Sequence, residues 1–221
     1  MKYVLFFFCL SVVLLMTMIN LDSPWRYLIL WPCGSSVILT LAYLTNTPTL
    51  IAGKTNQGSL SYFMSILTLP WLILTWITWI IQAIFSQEEG VSQVQGTKIY
   101  LSRWPVFGPD ARSFDRVIDL TAECPRWYQI GQGYECIPCL DGMPLKNFLP
   151  MQPIDTQMKV LIHCAQGHGR SATFTSILLQ RMGLFATTEE AYHHILISRP
   201  LAQVSLEQYN QMRTYNKGTI K

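Results

Sequence analysis

Hydrophobic and polar positions divide this chain into two halves that meet near residue 85. Before that point apolar residues run almost without interruption in three blocks, 3–19, 27–44 and 60–85. A helix that crosses a bilayer needs about 20 mostly apolar residues, and in lipid a backbone must satisfy its own hydrogen bonds. The blocks therefore predict three membrane-spanning helices. None has the polar face that a helix packed on a water-facing core would show. Pro32 and Gly34 in the second block are tolerated in membrane helices, and Pro70 is expected to kink the third. Trp25, Tyr27 and Trp31 near one end of the second block, with Tyr43 near the other, suit interfacial positions. The first block also has the form of a signal peptide, with Lys2 as a short basic start. Met18-Ile-Asn-Leu-Asp22 offers no small-residue cleavage site, so the block is read as an uncleaved span.

After residue 85 the pattern shortens and alternates. Residues 98–101, 116–120, 134–140 and 159–163 read as strands. Residues 169–182 read as a helix. A second helix starts at Thr187, with Glu190 completing a capping box, and stops near Arg199-Pro200 because proline cannot continue it. A last helix is expected over 205–215. Strands interleaved with helices predict an α/β domain with a central, mostly parallel sheet flanked by helices. The expected organisation is a transmembrane region over 1–90 and an α/β domain over 91–221.

Composition sharpens this division. Charged residues make up 13% of the chain, against about 25% in a usual soluble domain. The deficit lies in the front half, where Lys2, Asp22, Arg26 and Lys54 are the charged residues up to Phe85. A net charge of +3, scattered along the chain, gives no basis for nucleic-acid binding. Six cysteines do not form the spacing of a small secreted disulfide framework. Cys136 and Cys139 form a lone CxxC without a second ligand pair, so they are read as buried strand residues. No metal or other cofactor is expected.

The informative segment joins the fourth strand to the next helix: His163-Cys164-Ala165-Gln166-Gly167-His168-Gly169-Arg170-Ser171. The strand delivers Cys164 to the bottom of a tight loop, where Gly167 and Gly169 are expected to allow positive φ and close backbone approach. The loop then enters a helix, so backbone N–H groups and the positive helix end converge on one point, an anion cradle. The same field favours a thiolate. Arg170 brings a planar fork that grips two phosphate oxygens at once, which lysine cannot copy. A thiolate beneath such a cradle is arranged for in-line attack on phosphorus.

His-Cys-x5-Arg-Ser resembles the signature of the cysteine-dependent protein tyrosine phosphatase superfamily, and the short domain looks like its dual-specificity branch. The similarity covers roughly 97–221, with Ile99-Tyr-Leu101, Val117-Ile-Asp-Leu120 and Ser198-Arg-Pro200 as supporting pieces. It implies that Cys164 attacks phosphorus and forms a phosphocysteine. Arg170 and the loop amides of Ala165, Gln166, Gly167, His168 and Gly169 would then hold the phosphate oxygens. Ser171 would assist departure of the sulfur, and His163 would stiffen the loop and favour the thiolate. The resemblance also calls for a general acid on a separate loop. Asp141, followed by Gly142-Met143-Pro144, sits where the family's acid loop falls. Asp119 lies within a strand and looks structural, and Asp155 is too near the fourth strand. Trp31-Pro32, Leu41-Ala-Tyr-Leu44, Gly53-Lys54 and the Trp-rich third block are similar to the segment before the catalytic domain in bacterial membrane phosphatases.

Rhodanese-type loops do not end in Arg-Ser at this spacing. Low-molecular-weight phosphatases carry their loop near the domain start, whereas three strands precede it here. The implied activity is a membrane-anchored phosphate monoester hydrolase acting on phosphotyrosine, phosphoserine or phosphothreonine proteins. Two alternatives stay open. One is a phospholipid phosphatase for a phosphatidylglycerophosphate-like substrate, and the other a catalytically silent phospho-binding protein. The loop interior lacks lysine, which disfavours highly charged inositol lipids. A thiolate nucleophile needs a reducing compartment, so the catalytic domain is expected to face the cytoplasm from an inner or plasma membrane. The positive-inside rule leaves orientation nearly balanced. Oligomeric state is not legible.

Overall fold

The computed structural model describes residues 2–106, 110–146 and 153–219; residue 1 of the expected transmembrane region and residues 107–109, 147–152 and 220–221 of the expected α/β domain lie outside them. The chain forms two compact units. One comprises Met1–Thr55, Ser59–Phe85 and Ala122–Pro125. The other comprises Asn56–Gly58, Ser86–Thr121 and Arg126–Lys221.

In the first unit the apolar blocks become α1 (Lys2–Asn20), α2 (Trp25–Thr45) and, after the single turn α3 (Thr49–Ala52), α4 (Tyr62–Phe85). Helices α1, α2 and α4 are each long and apolar enough to cross a membrane. Helix α2 runs through Pro32 and α4 through Pro70 without interruption. Several hydroxyls inside these helices bond to their own helix: Thr17 donates to the Val13 carbonyl at 2.9 Å, Ser36 to Pro32 at 2.8 Å and Thr78 to Leu74 at 2.8 Å. Such self-satisfaction is what an apolar solvent demands of a polar side chain. Phe7 is fully buried and joins the three helices, stacking on Tyr43 and meeting Trp71 edge-on. Asn46 ends α2 with φ +49°, a conformation that asparagine tolerates better than most residues.

The second unit is built on a five-stranded sheet. Its strands are β1 (Val91–Gln93), β2 (Ile99–Ser102), β3 (Arg116–Thr121), β4 (Gly133–Cys139) and β5 (Val160–His163), in the spatial order β1-β2-β5-β3-β4. All neighbours are parallel except β1 with β2. Strand β1 was not legible in the sequence, because three residues are too few to show alternation. Strands β3 and β5, at the centre, are buried at every position. Alternation sorts their side chains between two faces. Ile118, Leu120, Val160 and Ile162 meet α5 (Gly169–Arg181) and α6 (Thr188–Ser198) in the main core. Val117 and Leu161 face the other way, toward a 3-10 turn (Ala111–Ser113) with Phe114, Tyr128 and Ile130. Among the described residues, then, α5 and α6 cover one face of the sheet, and the opposite face is covered by irregular segments. The capping box at α6 is complete, with Thr187 Oγ1 accepting from the Glu190 N–H and the Glu190 carboxylate accepting from the Thr187 N–H. Helix α7 (Leu206–Thr219) completes the unit. Cys136 and Cys139 are buried on β4.

Candidate active site

Strand β5 ends at His163, so Cys164 leaves the sheet at its carboxyl edge, where open α/β sheets place their ligands. Five residues later the chain is helical, and no side chain caps the start of α5. The first-turn amides therefore face the loop without a competing side-chain acceptor. Cys164 is buried, and its Sγ accepts the Gly167 N–H at 3.2 Å and lies 3.5 Å from Ser171 Oγ. The loop carbonyls turn outward: Ala165 O accepts the Trp104 N–H at 3.0 Å, and Gln166 O accepts from Arg199 Nη2 at 3.0 Å. In a trans peptide the N–H points opposite to the carbonyl. The amides of Gln166 and Gly167 accordingly turn inward, toward the sulfur.

The two loop glycines serve different ends. Gly167 has φ +73°, and a Cβ there would lie 2.6 Å from the Ser102 backbone. Gly169 does not have the positive φ expected for it; it is the first residue of α5. The constraint there is crowding instead: a Cβ would come 3.1 Å from Gln208 Oε1 and 3.3 Å from the Gln203 carbonyl, so those neighbours would have to give way by a few tenths of an ångström.

Arg170 is 1% exposed, and its Nη1 donates to the Cys139 carbonyl at 3.0 Å, with the Leu120 carbonyl at 3.5 Å. The ends of β3 and β4 thus hold one corner of the guanidinium. Its Nε edge lies 3.5 Å from Asp141 Oδ1, an ion-pair distance, and that carboxylate is half exposed on the turn after β4. The structure therefore brings Cys164, Arg170, Ser171 and Asp141 to one edge of the sheet.

His163 is fully buried, and its Nε2 lies 2.6 Å from Tyr128 Oη and 3.7 Å from Asp119 Oδ1. Asp119 Oδ1 accepts from the Thr121 N–H and hydroxyl at 2.9 and 2.7 Å, and its Oδ2 from Tyr134 Oη at 2.7 Å. Burial, with the Asp119 carboxylate beside it, pushes the Tyr134 phenol far above its ordinary range. Asp119 is therefore held in a buried network behind the loop. His168 points from the loop to Glu88, with Nε2 2.6 Å from Oε2. Arg199 Nη2 reaches the same oxygen at 3.1 Å. Burial lowers the Arg199 guanidinium below its ordinary value, and the Glu88 charge opposes that shift. Neither Tyr128 nor Glu88 stood out in the sequence, because each meets the loop across a long stretch of chain.

No family model and no curated protein matches this chain. Solved structures do. Tk-PTP in a mutant form is 24% identical with a TM-score of 0.50, over 58% of this chain and 96% of that one. PTPMT1 in complex with PI(5)P is 17% identical with a TM-score of 0.47, over 60% and 97%. Human DUSP28 is 13% identical with a TM-score of 0.47, over 60% and 96%. The likeness is one of fold: the part of this chain that aligns shares its fold with Tk-PTP.

Proposed function

We propose that the chain is a membrane-anchored phosphatase that hydrolyses phosphate monoesters through a phosphocysteine intermediate. One observation carries the reading: Cys164 Sγ accepts a loop amide at 3.2 Å, in a loop that ends at the uncapped start of α5 beside a buried arginine. Oriented amides and a fixed guanidinium stabilise charge on transferring phosphoryl oxygens without reorganising during the reaction. The Cys164 thiolate forms the S–P bond as the P–O bond to the leaving group breaks, and Asp141 gives its proton to the departing oxygen. Water then attacks phosphorus and passes a proton to Asp141. The S–P bond breaks, with Ser171 donating to the leaving sulfur. The amides from Ala165 to Arg170 and the Arg170 guanidinium hold the equatorial oxygens, and His163 braces the loop from behind.

The primary substrate class is phosphoprotein, carrying phosphotyrosine, phosphoserine or phosphothreonine. A phospholipid monoester is the second reading, favoured by three helices long and apolar enough to hold the chain at a lipid surface. The first and third spans run in the same direction if all three cross, and a thiolate nucleophile, which needs a reducing compartment, supports a cytoplasm-facing α/β unit.

The test is phosphate release from p-nitrophenyl phosphate by the full chain in detergent, with Cys164→Ser as control. Release that disappears in the variant supports the mechanism, and release that survives it removes the mechanism. Parallel assays on phosphotyrosine peptides and on phosphatidylglycerophosphate in mixed micelles then separate the substrate classes. Turnover of the lipid alone reverses their order.

A further inference from the structure

Glu88 lies three residues beyond the end of α4 and takes no part in the chemistry proposed above. Its carboxylate is nonetheless 9% exposed, and its two partners, His168 and Arg199, both engage the loop. His168, a loop residue, meets Oε2 at 2.6 Å. Arg199, 1% exposed, meets the same oxygen at 3.1 Å. Through the other face of its contacts, Arg199 donates Nη2 to the Gln166 carbonyl at 3.0 Å and Nη1 to Ser92 Oγ at 3.0 Å. The segment carrying Glu88 is itself fixed, since Arg103 Nη2 donates to the Glu88 carbonyl at 2.6 Å and to Ser86 Oγ at 3.1 Å.

We propose that Glu88 is a positioning residue for the phosphate-binding loop, so that the junction after the last apolar helix forms part of the active-site scaffold. This rests on the reading of that loop as the phosphate cradle. The physical reason is charge. A buried carboxylate is costly unless cations face it, and here one oxygen gathers both an imidazole N–H and a guanidinium. Those two groups hold consecutive parts of the loop, His168 by its own side chain and Gln166 by its carbonyl. The outward pull on the Gln166 carbonyl is what turns the Gly167 N–H toward Cys164 Sγ. Without Glu88, Arg199 keeps its burial and loses its counter-charge, and His168 loses the anchor that aims its backbone. Misplacing cradle amides by a fraction of an ångström weakens oxyanion binding and the chemical step together.

The experiment measures orthovanadate binding by isothermal titration calorimetry on the full chain, alongside p-nitrophenyl phosphate kinetics and thermal melts. The variants are Glu88→Gln, His168→Gln and the double variant. Glu88→Gln is expected to weaken vanadate binding and kcat/KM by about tenfold each, with the melt of the α/β unit moving little. The double variant should lose no more than the worse single one, because both act along one path. Unchanged vanadate affinity in Glu88→Gln, or losses that add in the double variant, would overturn the proposal. Should Glu88→Gln not fold, His168→Gln alone decides: the proposal stands if vanadate binding weakens and falls if it does not. The two readings separate cleanly. A wild-type chain that binds vanadate without turnover fails the proposed function and leaves the role of Glu88 measurable. Full turnover with an indifferent Glu88 does the reverse.

Discussion

Oδ1 of Asp141 lies 3.5 Å from Nε of Arg170, so the candidate acid and the candidate phosphate grip share one edge of the guanidinium. In the proposed mechanism an incoming phosphate takes that edge and leaves Asp141 beside the departing oxygen. Asparagine keeps the shape and loses the proton. Asp141→Asn is therefore expected to lower kcat by about 100-fold or more, while vanadate inhibition stays as strong as in the wild type or strengthens. A variant with wild-type kcat would show that another group supplies the proton.

Arg170 is held by Nη1, which donates to the carbonyls at the ends of β3 and β4. Lysine offers a single ammonium and cannot both hold that corner and present a fork to phosphate. Arg170→Lys should cost about 100-fold or more in kcat/KM, with vanadate affinity falling in parallel. Steady-state kinetics with vanadate as inhibitor provides the check.

Gly167 combines φ +73° with a hypothetical Cβ 2.6 Å from the Ser102 backbone and 2.8 Å from Arg199 Nη2. Gly167→Ala should cost about 1–3 kcal/mol of stability and displace the amide that faces Cys164. Thermal melts should show the loss, and iodoacetamide should alkylate Cys164 more slowly at neutral pH. A melt identical to the wild type would mean the loop yields more easily than its packing suggests.

Tyr134 donates to the Asp119 carboxylate, and burial with that charge raises the phenol well above its ordinary value. Below about pH 10 both folded and unfolded chains keep the proton, and the contribution to stability is intact. Above that, the unfolded chain releases it while the fold retains it, so stability falls as pH rises, by up to about 1.4 kcal/mol per pH unit. Melts from pH 8 to 11 should show Tyr134→Phe falling less steeply than the wild type. At neutral pH the variant should be less stable by about 1 kcal/mol, for the lost hydrogen bond.

What the sequence by itself determined was whatever short-range pattern controls. Apolar runs specify α1, α2 and α4, because helix length and hydration are local matters. Cys164, Arg170 and the glycines between them specify a strand–loop–helix cradle within a few residues. Thr187 and Glu190 likewise carry their own capping geometry. Tertiary structure alone decided which distant groups brace that cradle. Tyr128 reaches His163 across 35 residues, Arg199 reaches Gln166 across 33, and Glu88 reaches His168 across 80. The reason is that a parallel sheet joins strands far apart in the chain, as β5 inserts between β2 and β3. Gly169 makes the same point on a smaller scale. A Cβ there would press on Gln208 because α7 brings that side chain against it, and no local turn preference foretells that contact.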